Sequence, residues 1–258
     1  LAASDAPGQD VASAASGPLT LGITLFGAAA GERQLDVTIT RQKDAQWLRF
    51  TPEHPAHMLL PGVWQVVAGY VQVGATHVLA GADHLMFLLV VLAAGWRWRS
   101  LLGALTCFTA GHAVTLAACV WGGWSAPAQW VEPAIAATVI TMAAYDGWAR
   151  WHARPSRPAM RLALVFACAL IHGLGLAGAL ADLTQWPPGS SQLAWALTGF
   201  NLGIEAGQIG VAALAGLVVL GLRGLAGPIA HQRASQFASA AGMAAGSFWL
   251  IERLTQVA

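Results

Sequence analysis

The sequence predicts an all-α integral membrane protein of about six transmembrane helices, or seven, preceded by a short β-rich extramembrane segment. Three observations carry that expectation. Apolar residues make up 56% of the 258 residues and Asp, Glu, Lys and Arg only 10%, whereas a soluble domain wets its surface with about 25% charged residues. The apolar residues fall in runs long enough to cross about 30 Å of hydrocarbon. The chain also holds twelve Trp, many at the ends of those runs: Trp64, Trp96, Trp98, Trp121, Trp124, Trp130, Trp148 and Trp151. Such placement suits the aromatic belts of a membrane interface. The net charge of +1 and the lack of a large basic cluster leave no surface that tracks a phosphate backbone, so nucleic acid is excluded as a partner.

Residues 1–17 are Ala, Ser, Gly and Asp without periodicity, expected as a flexible lead-in. Residues 18–62 form the expected extracytoplasmic β-rich segment, with strands at Leu19–Phe26, Gln34–Thr40 and Gln46–Thr51 divided by Gly31-Glu32-Arg33 and Lys43-Asp44. Pro52, Pro55 and Pro61 then interrupt the chain. Residues 63–258 form the transmembrane helical bundle, with spans near 66–96, 101–121, 131–149, 162–182, 192–221 and 235–252. The first run is too long for one upright span, so its front part is expected to be a tilted or interfacial helix bending at Gly81. Gly242 and Gly246 in the last run suit close helix packing.

Arg97, Arg99, Arg150, Arg154, Arg157, Arg161, Arg223 and Arg233 cluster in alternate connections, while 122–130 and 183–191 have no Lys or Arg. By the positive-inside rule the basic connections are cytoplasmic and both termini extracytoplasmic. The expected location is therefore the bacterial inner membrane, crossed many times. The chain begins at Leu1 without a basic-plus-apolar leader, as expected of a processed chain or a piece of a longer one. Cys107, Cys119 and Cys168 lie in apolar runs without metal spacing and read as small core residues.

Ionisable residues inside spans are costly, about 2.5–3.5 kcal/mol each on insertion scales, yet several occur here. The first span carries His77, Asp83 and His84, the second Thr109 and His112, and the fourth His172. On the fifth, Asn201, Glu205 and Gln208 form one polar stripe at i, i+4 and i+7. Singly, each has a bland explanation: a hydrogen-bonded core His, a protonated Glu, or amides that join helices. At 1.5 Å rise per residue, however, His112, His172 and Glu205 reach nearly one depth, and Asp83 and His84 can join them. That shared layer favours a site. Imidazole and carboxylate without thiolate suit Ni²⁺, Zn²⁺ or another borderline divalent metal. The candidate metal residues are His77, Asp83, His84, His112, His172 and Glu205, with His77 the weaker ligand at the outer mouth. Thr109, Asn201, Gln208 and Glu132 are the supporting polar residues, and Asp146 is an expected contact for nearby arginines.

Six blocks, in order, resemble the HupE/UreJ family of membrane proteins, in particular members with an extracytoplasmic N-terminal extension. They are His77-x5-Asp83-His84, Phe108-Thr-Ala-Gly-His112, Val131-Glu-Pro-Ala-Ile135, Leu170-Ile-His172-Gly-Leu-Gly175, Phe200-Asn-Leu-Gly-Ile-Glu205-Ala-Gly-Gln208 and Phe248-Trp-Leu-Ile-Glu-Arg253. The resemblance implies six or seven spans and a role in nickel supply to hydrogenase or urease, with the His-x5-Asp-His block handling the metal. The second His-rich block associated with nickel permeases is represented here by His172 alone.

Three functions remain open on the sequence. The leading one is a permease or binding protein for Ni²⁺ or a similar divalent ion. The second is an intramembrane Zn²⁺ metalloenzyme with Glu205 or Asp83 as general base, although no H-E-x-x-H motif is present. The third is an accessory subunit whose polar layer binds helices, a membrane-protein partner or a second copy of the chain. A through-path accessible from both sides favours the first, an outward-open cavity sealed below with an open metal position the second, and a fully satisfied, metal-free hydrogen-bond network the third.

Overall fold

The computed structural model describes residues 19–22, 35–41, 44–52, 56–59, 61–94, 98–152, 157–183, 186, 187 and 189–256, with backbone only for 19, 20, 41, 44, 45, 56, 58, 177–183, 219, 221–232 and 234. The expected lead-in over 1–17 lies outside them. The chain divides into two compact units, residues 1–63 with 185–187, and residues 64–184 with 188–258.

The first unit contains four strands: β1 (Leu19–Gly22), β2 (Leu35–Arg41), β3 (Asp44–Phe50) and β4 (Ala56–Leu59). β2 and β3 form an antiparallel hairpin in which Leu35 faces Phe50 and Arg41 faces Asp44. Along β3, Gln46, Leu48 and Phe50 are buried while Trp47 and Arg49 are exposed, the two-residue alternation of a sheet with one covered face. β4 was not foreseen, because its four residues lie among the prolines read as an interruption. It pairs antiparallel with β1, Leu19 opposite Leu59 and Gly22 opposite Ala56. That partner is distant in sequence, where local patterning carries no signal.

The second unit is helical: α1 (Val63–Ala80), α2 (Ala82–Ala93), α3 (Trp98–Gly122), α4 (Ala128–Trp151), α5 (Pro158–Leu183) and α6 (Ser191–Thr255). Among the described residues, three stretches are long and apolar enough to cross a membrane: Trp98–Gly122, Pro158–Leu176 and Ser191–Val218. The pair α1 and α2, bent by 75°, makes a fourth if counted as one broken span. α4 and the last part of α6 fall short of that apolarity; α4 carries Glu132, Asp146 and Arg150. Large apolar side chains face outward along these helices, among them Leu102, Val114, Leu214, Leu217 and Phe248. Trp98, Trp121, Trp124, Trp130, Trp148 and Trp151 are exposed at helix ends, as aromatic belts require.

The helical run of α6 is continuous in backbone, but it is not one straight rod. Gln208 lines a pocket with Val91, and Gly242 packs on the neighbouring Val90. A straight helix would put those two α6 residues about 50 Å apart. The run therefore folds back between them, and its two arms flank the α1–α2 pair. The first arm meets α1 through Gly199, Gly203 and Gly207, whose missing side chains admit Val67, Val71 and Ala75 against the backbone. The second arm meets α4 through Gly246, beside Ile140 and Ala136.

Phe87, Val90, Val91, Ala104, Phe108, Val139, Met142, Val165 and Cys168 form the apolar core of the bundle. At one end, Arg161 and Asp146 make a buried 2.7 Å ion pair, and Arg161 also donates to the Val91 carbonyl at 3.2 Å. These bonds fasten the end of α2, the end of α4 and the start of α5. Breaking such a pair leaves an uncompensated buried charge, which costs about 3–5 kcal/mol.

Candidate metal centre

The break between α1 and α2 creates the site. Gly81 has an extended backbone (φ −79°, ψ 102°) that ends one helix and starts the next. A side chain there would stand 2.6 Å from His84 Nδ1, so only glycine lets the two segments meet this closely. The bend brings His77, at the end of α1, within 4.6 Å of His84 on α2, ring centre to ring centre.

His112 of α3 closes the group. Its ring lies 6.0 Å from that of His77 and 6.3 Å from that of His84. One ring nitrogen from each of the three falls within 4.8 Å of the others, a spacing able to hold a metal ion. His172 of α5 stands beside this trio, 4.9 Å from His84. Phe87, Phe108 and Phe200 wall the four rings; Phe108, for example, is 5.4 Å from His172 and Phe200 is 5.6 Å from His77. Four imidazoles from four helices thus share one enclosure. His84, His112 and His172 are all buried, His112 completely.

Hydrogen bonds settle which nitrogens are free. Asp83 Oδ1 lies 3.2 Å from His84 Nδ1 and accepts the His84 backbone N–H at 2.9 Å. A carboxylate only accepts, so Nδ1 carries the proton and Nε2 keeps its lone pair. The Thr138 hydroxyl donates its one proton to the Ile135 carbonyl at 2.6 Å. At 2.9 Å from His172 Nε2 it must therefore accept from that nitrogen, which leaves the lone pair on Nδ1. His77 Nε2, His84 Nε2, both nitrogens of His112 and His172 Nδ1 are buried without a hydrogen-bond partner among the described residues. Buried polar atoms normally find partners. Each of the four rings thus has a nitrogen without a protein partner, one lone pair per neutral imidazole, a donor set that suits a divalent metal.

Arg253, from the second arm of α6, lies beside this group. It approaches Asp83 Oδ2 at 3.4 Å, donates to the Glu132 carbonyl at 2.8 Å, and has the Glu132 carboxylate at 3.9 Å. Glu132, expected as a support, is thus tied to the site through Arg253. Arg253 stands within the last of the HupE/UreJ-like blocks, where nothing in the sequence marks this role.

Glu205 stands elsewhere. Its carboxylate accepts hydrogen bonds from Thr106 and Thr109 of α3 and lines a groove of about 550 Å³ between α3 and α6. Asn201 lines the same groove and donates to the Leu197 carbonyl at 2.8 Å. Thr109 therefore serves Glu205, although it lies one turn from His112. Gln208 joins the two regions: its Oε1 is 3.5 Å from Thr109 Oγ1, and it lines a pocket of about 10 Å³ with His84, Phe87 and Phe108. That is room for about one water.

These features define a helical protein with membrane-length apolar helices and a buried polyhistidine cluster braced by carboxylate and hydroxyl. The profile of the HupE / UreJ protein family matches residues 54–253, and the chain belongs to that family. The family is associated with nickel and cobalt transport. No curated protein and no solved structure matches the chain.

Proposed function

We propose that this protein is a membrane permease or binding protein for Ni²⁺ or a similar divalent ion, and that the ion is its cargo. The observation that supports this reading most is the set of orphaned imidazole nitrogens on His77, His84 and His112. On this reading those three are ligands, and His172 Nδ1 is a further ligand or a transfer position. Asp83 supplies negative charge through His84, the carboxylate–histidine arrangement that fixes tautomer and raises ligand basicity. Glu205 is a second carboxylate station in the α3–α6 groove.

The intramembrane zinc enzyme is the weaker reading. Three imidazoles around an open position suit Zn²⁺, but a hydrolytic site needs a free carboxylate beside the metal-bound water. Asp83 is engaged by His84 and Arg253, and Glu205 by two threonines. The accessory-subunit reading is weaker still, since a purely structural polar layer would satisfy its own nitrogens.

Binding should weaken as pH falls, because a proton on an imidazole occupies the lone pair the metal needs. Calorimetry with Ni²⁺ and Zn²⁺ on detergent-purified protein at about pH 7.5 and about pH 5.5 brackets the ordinary imidazole range. The expected result is tighter binding at the higher pH, lost when His84 and His112 are both replaced by Ala. Equal affinity at both pH values, or binding indifferent to that double substitution, would overturn the site.

A further inference from the structure

A second groove, of about 630 Å³, runs between α4 and the second arm of α6, away from the histidines. One of its ends is apolar, lined by Ala143, Ala144 and Met243; the other is polar, lined by Arg150, Gln236 and Ser239. The two helices run antiparallel here, so both change from apolar to polar in the same direction along the groove. The polar end coincides with exposed Trp148 and Trp151, the residues that mark a headgroup level.

Among the described residues, Arg150 has no carboxylate within ion-pair distance. Arg150 donates to Ser235 Oγ at 3.1 Å and to Ser239 Oγ, both neutral. Asp146, one turn earlier on α4, is already paired with Arg161 at 2.7 Å. No other described carboxylate forms an ion pair with Arg150. A partly buried guanidinium held by hydroxyls, facing a cleft that grades into hydrocarbon, has the shape and charge of a phospholipid seat.

We propose that this groove binds an anionic phospholipid, with its phosphate on Arg150 and Gln236 and an acyl chain along Ala143, Ala144 and Met243. Arginine suits phosphate because its planar fork matches two oxygens. Ser235 and Ser239 act as positioning residues that hold the fork toward the cleft.

The test is native mass spectrometry of the delipidated, detergent-purified protein titrated separately with phosphatidylglycerol, phosphatidylcholine and inorganic phosphate. The wild type should prefer phosphatidylglycerol over phosphatidylcholine by roughly fivefold, the effect of one cation at a membrane surface. It should take up no inorganic phosphate at the same concentration. Arg150→Gln should abolish the preference and Arg150→Lys should keep most of it. The divalent-ion titration of each variant reports separately whether the bundle remains intact. Equal binding of the two lipids by the wild type, or an unchanged preference in Arg150→Gln, would overturn the proposal. Phosphate uptake abolished by Arg150→Gln would show a soluble-anion site instead.

Discussion

Replacing Asp83 by Asn preserves shape but removes the charge that holds the proton on His84 Nδ1. The amide can present its NH₂ to that nitrogen, and the proton then moves to Nε2, the atom facing His77 and His112. Metal affinity should fall about 10- to 100-fold, the usual effect of losing a supporting carboxylate, with helical content unchanged by circular dichroism. Unchanged affinity in Asp83→Asn would mean that His84 is not held by this bond. The sequence made His84, His112 and His172 legible because an ionisable residue in an apolar run is conspicuous by itself. Arg253 was not legible. It reaches Asp83 across 170 residues of separation, and only the packing of α6 on α2 decides that meeting. Glu205 was conspicuous for the same reason as the histidines, but depth along a helix does not say which neighbour it faces. Glu205 turned toward Thr106 and Thr109, and of its stripe Gln208 lines a pocket with His84.

At the scale of elements, the contact between α1 and the first arm of α6 rests on glycine. Gly203 sits against the Val71 carbonyl, and an added Cβ would also come to 2.8 Å from the Ala75 nitrogen. Backbone cannot move aside as a side chain can, so Gly203→Ala should cost about 1–3 kcal/mol in unfolding experiments, the range for overpacking. Gly210, two turns further along, has nothing within 4 Å of its would-be Cβ. Gly210→Ala should be neutral or slightly stabilising, because alanine favours helix by about 1 kcal/mol. Equal effects at the two sites would remove close backbone approach as the reason for the stripe. Helix locations were readable from apolar runs, including the break at Gly81. The two arms of α6 were readable as well, as the runs 192–221 and 235–252 parted by Arg223 and Arg233; what had no local mark is that the connection between them stays helical in backbone.

At the scale of the molecule, the positive-inside rule predicts that the ends of the helices carrying Arg99, Arg150, Arg157 and Arg161 are cytoplasmic. Single cysteines at Ser125 and Ser156 test the proposed six-span orientation in intact cells. A membrane-impermeant thiol reagent added outside should label Ser125→Cys and spare Ser156→Cys. The reverse pattern would invert the topology and place residues 1–62 on the other side.

His77, His84, His112 and His172 come one each from α1, α2, α3 and α5. No contiguous fragment missing any of those helices can present all four rings. On the proposed reading the ion is a chelate rivet through α1, α2 and α3, with α5 alongside, and its binding is also a report that they have assembled. Cobalt(II) in place of nickel would give that report a colour: its visible absorption would rise only in molecules whose three ligand-bearing helices had come together, and disappear when any one of them was pulled away.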